Sequence, residues 1–312
     1  MTFDQPIPVK EIAQKIGARI IGNADLMAMG INEIHNVREG DITFVDVQKY
    51  FSKSLNSAAT IIILNEETQC PEGKALLVCD APFKAYNSIV IQHNPFEPLN
   101  HTIGETAQIH PSTIVEPGAV IGPEVKIGKN CLIQSNAVIR GRVIIKDHVL
   151  VESGSIIGTD AFYYKKTTEG LQKWRSGGRV IIEDHVDVGA NSTVNMGVSG
   201  DTILGEGTKL DCMVHIGHDV VVGKHCQITA QVAIGGNTRI GNRVVIYGQV
   251  GIIQNLTIGD DVVVMAKSMV SKDLEAGKSY YGNPADEART IYKQMAALRQ
   301  LPELLQKLRK KV

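Results

Sequence analysis

Hydrophobic residues recur at every sixth position through the middle of the chain. Nine aliphatic residues keep that spacing from Ile109 to Ile157, three more from Ile182 to Val194, and twelve from Leu204 to Val270. Four places after each stands a small or branched residue, such as Ala119, Val125, Ala137, Cys226, Val244 or Ser268. If the aliphatic position is i, then i−2 and i of a strand point to one face and i−1 to the other. Position i−2 of one hexad is i+4 of the previous one, so both apolar sets face inward. Gly, Asp and Asn at i+1 to i+3, as in Gly128-Lys129-Asn130 and Gly259-Asp260-Asp261, supply corners where positive φ is often needed. Three such sides predict a triangular coil of 18 residues. Coils stack at about 4.8 Å, the inter-strand spacing. This is the pattern of a parallel β-helix built from hexapeptide repeats.

The repeat breaks twice. Between Ile157 and Ile182 the register is lost over a segment holding Phe162, Tyr163, Tyr164 and Trp174, and four extra residues around Gly197-Val198-Ser199-Gly200 separate Val194 from Leu204. Loops expelled from a solenoid often carry binding surfaces; shielding the prism or meeting a neighbour is the equal alternative. Residues 1–98 lack the repeat. Helices are predicted over 8–16 and 82–92 and strands over 19–21, 42–45, 59–64 and 75–78, which make a small α/β domain. Residues 99–281 form the prism. After Gly282-Asn283-Pro284, the spacing of Ile291, Met295, Leu298, Leu301, Leu304, Leu305 and Leu308 predicts helix over 286–311, split in two by Pro302. This tail, 282–312, is basic, with Arg289, Lys293, Arg299, Lys307, Arg309, Lys310 and Lys311. It reads as a solvated helix face or as a docking surface for an acidic partner.

Composition fits this picture. Thirty glycines beside 5% aromatics suit a narrow prism with room for Ile and Val. A formal net charge of −1 argues against a dedicated nucleic-acid binder. The start has no secretory signal, and no apolar run reaches the roughly 20 residues that span a bilayer. Five cysteines without a CxxC pair make a zinc ribbon or disulfide framework improbable and point to a reducing cytosol.

His218 stands apart from the corner histidines His148, His185 and His225, which occupy i+3. It lies at i+2 of the hexad beginning at Ile216, one coil from Gly236. An imidazole is the commonest general base, and a glycine N–H allows close approach to a developing oxyanion. That pairing suits acyl transfer from a thioester; on spacing alone, an ordinary corner histidine is the simpler reading.

The strings GDITF at 40–44, KY at 49–50, SGSIIG at 153–158, GRVII at 178–182 and VGAN at 188–191 add a further layer. So do GDTILG at 200–205, GTKLD at 207–211, IGHDV at 216–220, GQVG at 248–251 and LPELL at 301–305. With them, the chain resembles the UDP-3-O-acylglucosamine N-acyltransferases of lipid A synthesis over nearly its whole length. The resemblance implies a mainly β protein, a left-handed parallel β-helix with a uridine-binding α/β domain and closing helices. It also implies a cytoplasmic homotrimer with active sites between prisms. The acyl donor would be the phosphopantetheine of acyl carrier protein and the acceptor a UDP-sugar, with no bound cofactor and no metal. His218 matches the family's general base and Gly236 its oxyanion-hole amide. Phe44 and Tyr50 match the aromatics that hold uracil; without the resemblance both read as core. His215 matches the His-Ile-x-His of related O-acyltransferases, and Met269 the region that limits the acyl chain. Asn255 stands where many members have a second active-site histidine, and Val47, Asn195-Met196-Gly197 and Ala161-Phe162-Tyr163-Tyr164 also depart from the family pattern. The alternatives are acylation of another UDP-amino sugar, on N or O, and a catalytically silent trimeric scaffold.

Overall fold

The computed structural model describes residues 1–309. The chain divides into two compact units. The first holds Met1–Leu99, Asp160–Arg179 and Met196–Asp201; the second holds Asn100–Thr159, Val180–Asn195 and Thr202 onward.

The first unit is an α/β domain built on a six-stranded sheet. Its elements are β1 (Thr2–Pro8), α1 (Val9–Ile16), β2 (Arg19–Gly22), β3 (Met27–Ile31), β4 (Asp41–Val45), α2 (Phe51–Leu55), β5 (Ile61–Leu64), β6 (Ala75–Val78) and α3 (Pro82–His93). The strand order is β1-β3-β4-β5-β6-β2. Strands β3 to β6 run parallel, and the outer strands β1 and β2 pair antiparallel to their neighbours. The run Ile61-Ile62-Ile63-Leu64 is fully buried because β5 is central and covered on both faces. Ile61 and Ile63 face the cluster that includes Phe83, Tyr86 and Ile89 of α3. Ile62 and Leu64 face Phe51 and Val45. Strands β1 and β3 and helix α2 were not predicted; β1 and α2 mix apolar with polar residues, and β3 is a short run of Met, Ala, Gly and Ile without alternation, so none shows a period.

The two excursions from the repeat belong to this unit. Residues 160–179 form a hairpin, Tyr164–Thr167 against Gly170–Lys173. It is followed by Trp174, which is 8% exposed and packs within 5.0–5.7 Å of the rings of Tyr163, Phe83 and Tyr86 and 5.2 Å from Phe44. Arg175 ties the segment to the end of α3, with Nη1 donating to both Asp160 oxygens at 2.7 Å and Nε to Asn94 O at 2.9 Å. The amides of Gly177 and Gly178 donate to Val198 and Gly197 of the second excursion at 2.8 and 3.0 Å. The aromatic loop is therefore part of a core, and only Phe162, Tyr164 and Leu171 of its large apolar residues are exposed.

The second unit is the prism. Its strands, most of them two residues long, stack into three ladders of eight, ten and eight strands, one for each side of the triangle, and pair in parallel except at the last strand of the ten. Aliphatic residues at i and small residues at i+4 are buried, as at Ile216, Val220, Ile234 and Val244. Registers join residues one coil apart: His215 faces Ala233, Ala233 faces Gly251, and Gly251 faces Met269.

The corners assign their positions differently from the expectation. Positive φ falls on i+3, which is usually not glycine: Asn130, His148, His185, Asp219, His225 and Asn255 have φ of 53–63°. Asn and Asp adopt this region most readily among non-glycine residues. Glycine is favoured instead at i+1, where the coils touch. A Cβ on Gly217 would lie 2.8 Å from Gly236 N, and one on Gly223 would overlap the Gly241 carbonyl.

The C-terminal region corrects two expectations. Asp286 and Glu287 lie in a strand, Ala285–Glu287, that pairs with Ser279–Gly282. Helix α4 (Ala288–Arg309) then runs unbroken through Pro302. Its apolar residues are exposed, so the carbonyl left without a donor at Leu298 can be hydrated, and the proline does not split the helix. Lys310 and Lys311 of the basic tail lie outside the described residues.

Gly223→Ala should destabilise the prism by about 1–3 kcal/mol, the usual penalty for overpacking. Gly251→Ala, whose Cβ would meet nothing within 4 Å, should be close to neutral. Thermal melts of the two variants check this; equal melting temperatures would contradict the close-contact role of i+1.

Candidate active site

His218 leaves the strand His215–Ile216 at a prism corner and is 6% exposed. Its neighbour Asp219 has φ of 57°, which turns the carboxylate back so that Oδ2 lies 2.8 Å from His218 Nδ1. A buried carboxylate accepts, so Nδ1 carries the proton and Nε2 keeps a lone pair. Of the two carboxylates close in sequence, Asp219 orients the ring. Asp211 is committed elsewhere, accepting from the amides of Cys212 at 2.7 Å and Ala230 at 3.1 Å.

Gly236 sits one coil on, directly against the imidazole edge. Any Cβ there would overlap His218 Nε2. Many i+2 amides on the other two prism edges are capped by side chains. Lys129 and Asn242 donate to Asp147 and Asp260 at 2.7 and 2.8 Å. Ser135 and Ala190 donate to Glu116 and Glu152 at 2.8 and 3.0 Å. Among the described residues no acceptor caps the Gly236 amide, and the missing side chain of Gly217 keeps the space beside it clear. A proton acceptor and an uncommitted N–H therefore stand side by side, the two groups that attack on a thioester carbonyl requires.

His215 projects from the outer face of the same hexad, with Nδ1 2.8 Å from Thr193 Oγ1. Partial burial holds its pKa below the ordinary histidine value, favouring the neutral ring near pH 7. Thr193 escapes a sequence reading because it sits at an outward position with no repeat signal. Ala233 and Gly251 separate His215 from Met269, which is 36% exposed. Three coil steps at about 4.8 Å give a shallow track of about 14 Å with small residues on its floor. Asn255 occupies a left-handed corner one coil above Asn237, and its amide donates to Gly236 O at 2.9 Å.

The two aromatic candidates are in the first unit. Phe44, on β4, is half-buried, with its ring against Tyr86 and Trp174 and with Lys165 Nζ 5.0 Å from its centroid. Lys165 also pairs with Asp46. Tyr50 ends the short turn Gln48–Tyr50 and is 50% exposed, with Lys49 Nζ 4.7 Å from its ring centroid. Phe44 is thus both a core residue and a partly accessible ring. Among the described residues no group of three His, Cys, Asp or Glu is arranged to hold a metal ion.

The stacked hexads and the corner dyad define a hexapeptide-repeat transferase. Residues 124–159 match the bacterial transferase hexapeptide model, and residues 26–90 match the model described as UDP-3-O-(3-hydroxymyristoyl) glucosamine N-acyltransferase, LpxD. The UDP-3-O-acylglucosamine N-acyltransferase of Parvibaculum lavamentivorans is 42% identical over an alignment 331 positions long, covering 95% of this chain and 94% of that one. That of Granulibacter bethesdensis is 40% identical over 321, covering 95% and 94%. The chain belongs to the UDP-3-O-acylglucosamine N-acyltransferase family. In fold, it is similar to the UDP-N-acetylglucosamine acyltransferase of Campylobacter jejuni, with a TM-score of 0.53 and 23% identity, covering 60% of this chain and 71% of that one. The prism is the left-handed parallel β-helix that the resemblance implied.

Proposed function

We propose that this protein moves a 3-hydroxyacyl chain from the phosphopantetheine thioester of acyl carrier protein to the 2-amine of a UDP-3-O-acyl-glucosamine. The observation that carries this reading is the Asp219–His218 pair set against the Gly236 amide. His218 Nε2 takes a proton as the amine attacks the thioester carbonyl. Asp219 holds Nδ1–H and stabilises the imidazolium, and Gly236 N–H donates to the tetrahedral oxyanion. When the intermediate collapses, the C–S bond breaks and the thiolate leaves, to be protonated by the imidazolium. All these steps use groups of the chain itself; no metal or bound cofactor takes part.

The remaining candidates take supporting roles. Phe44 and Tyr50 present ring faces suited to a uracil, with Lys49 and Lys165 close by. His215, held by Thr193, faces the sugar, and the track from His215 to Met269 suits an extended acyl chain whose length Met269 limits. The exposed Arg289, Lys293, Arg299, Lys307 and Arg309 of α4 suit an acidic carrier protein. The family resemblance favours a cytoplasmic homotrimer with sites between prisms. No helix among the described residues is long and apolar enough to cross a membrane. O-acylation, or another UDP-amino sugar, is the second reading, favoured by the ordered His215. The intact dyad speaks against a silent scaffold.

His218→Ala should retain the fold and lose about 10²–10⁴ of turnover, the range for a general base. Turnover like that of the wild type would overturn the mechanism. Met269→Ala should shift preference toward longer acyl donors in competition assays; an unchanged preference would remove Met269 from the acyl site.

A further inference from the structure

Most corner amides of the prism follow one rule; among the exceptions are two exposed corners, where Glu124 and Asn130 donate to Thr106 Oγ1 and Ser112 Oγ at 2.9 Å, and the buried active-site corner. At i+3 the N–H donates to the main-chain carbonyl nineteen residues earlier. Asn237 donates to His218 O at 2.8 Å, Asn255 to Gly236 O at 2.9 Å, Arg243 to Lys224 O at 2.8 Å and His225 to Glu206 O at 2.8 Å. The same bond recurs at His148, Gln231 and Asp261, and across the excursions at Met213 and Asn191, where the acceptor lies 23 and 38 residues earlier. It holds residues with unfavourable positive φ in place and fixes where each side chain points.

The equivalent position before Asp219 falls inside the excursion where the repeat register is broken, at Gly200 counting nineteen back or at Met196 counting the 23 that separate Met213 from its acceptor. Here a side chain accepts: Asp219 N–H donates to Thr202 Oγ1 at 2.9 Å. Thr202 is fully buried on the strand Asp201–Leu204, the first strand after the excursion. Other inward hydroxyls of the prism accept one residue later. Thr113 takes the amide of Cys131 and Thr208 that of Cys226, each at 3.0 Å and eighteen residues on. Thr202 bonds seventeen residues on, to the one corner whose side chain holds the proposed base. Asp219 itself is buried, so the hydroxyl fixes a carboxylate within hydrogen-bond distance of His218.

We propose that Thr202 is a positioning residue for the His218–Asp219 pair, its buried hydroxyl holding the corner amide of Asp219. This rests on His218 acting as the general base. Loosening Asp219 reduces its stabilisation of the imidazolium, so the proton affinity of His218 falls. Asp219 is the titratable group bonded to the ring, and His215 lies three residues before it. The corner one coil above carries only the uncharged Gly235, Gly236 and Asn237.

The test compares wild type with Thr202→Val and Thr202→Ser in acyl-transfer kinetics across pH and in NMR titration of histidine-labelled protein. Thr202→Val should lower kcat about five- to tenfold with KM little changed, as expected for removing one well-placed hydrogen bond. The acidic limb of kcat and the His218 titration should both move down by about half a pH unit. Thr202→Ser should restore all three. A folded Thr202→Val with wild-type kcat and His218 titration would overturn the proposal, as would a Thr202→Ser as impaired as the valine variant. If the valine variant does not fold, Thr202→Cys takes its place, because a thiol is a weak acceptor, and full activity there overturns the proposal equally. The NMR titration needs no substrate. A protein that transfers no acyl group but whose His218 titration responds to Thr202→Val would therefore fail the functional reading alone.

Discussion

Main-chain hydrogen bonding between coils sets everything else in this protein. Each short strand bonds to the one a coil away, and most corner amides reach the carbonyl below them, so residues eighteen apart in sequence stand in line. Individual strands are only two residues long and would not persist alone. Stacked, they form continuous ladders around a column of Ile and Val. The rigidity of that column makes a corner a suitable place for catalysis, because a residue there has neighbours at fixed height and spacing.

The candidate site consists of departures from the repeat. At His218 the corner carries an imidazole, at Gly236 an amide without the side-chain cap that many i+2 amides on the other edges have, and at Asp219 an amide held by a buried hydroxyl. Gly217, Ala233 and Gly251 contribute by having no side chain or only a methyl group, which leaves room beside the amide and along the outer face. A regular lattice with a few substituted positions needs no dedicated loop to assemble a general base, its orienting carboxylate and an oxyanion donor.

Much of this was legible in the sequence because a six-residue period is a long-range signal: it locates the ladders, the inward face and the pairing of residue 218 with 236. What escaped depends on contacts that carry no period. The segment around Trp174 reads as an expelled loop, yet its ring completes the core of the α/β unit against Phe83 and Tyr86. Asp211 and Asp219 are both near His218 in sequence, and the left-handed turn at Asp219 is what brings one of them to the ring. The corner glycines were expected to supply positive φ, but close approach at i+1 is what demands them, while Asn, Asp and His absorb the strained angle at i+3. Pro302 was expected to break a helix, but an exposed helix can hydrate the carbonyl it leaves without a donor.

The most direct test of the account is the product formed by the purified protein from 3-hydroxyacyl carrier protein and a panel of UDP-amino sugars, read by mass spectrometry with fragmentation. The account predicts one added acyl group in amide linkage on UDP-3-O-acyl-glucosamine, with little or none on sugars lacking a free 2-amine. An ester-linked product, or no acylated product on any member of the panel, would contradict it.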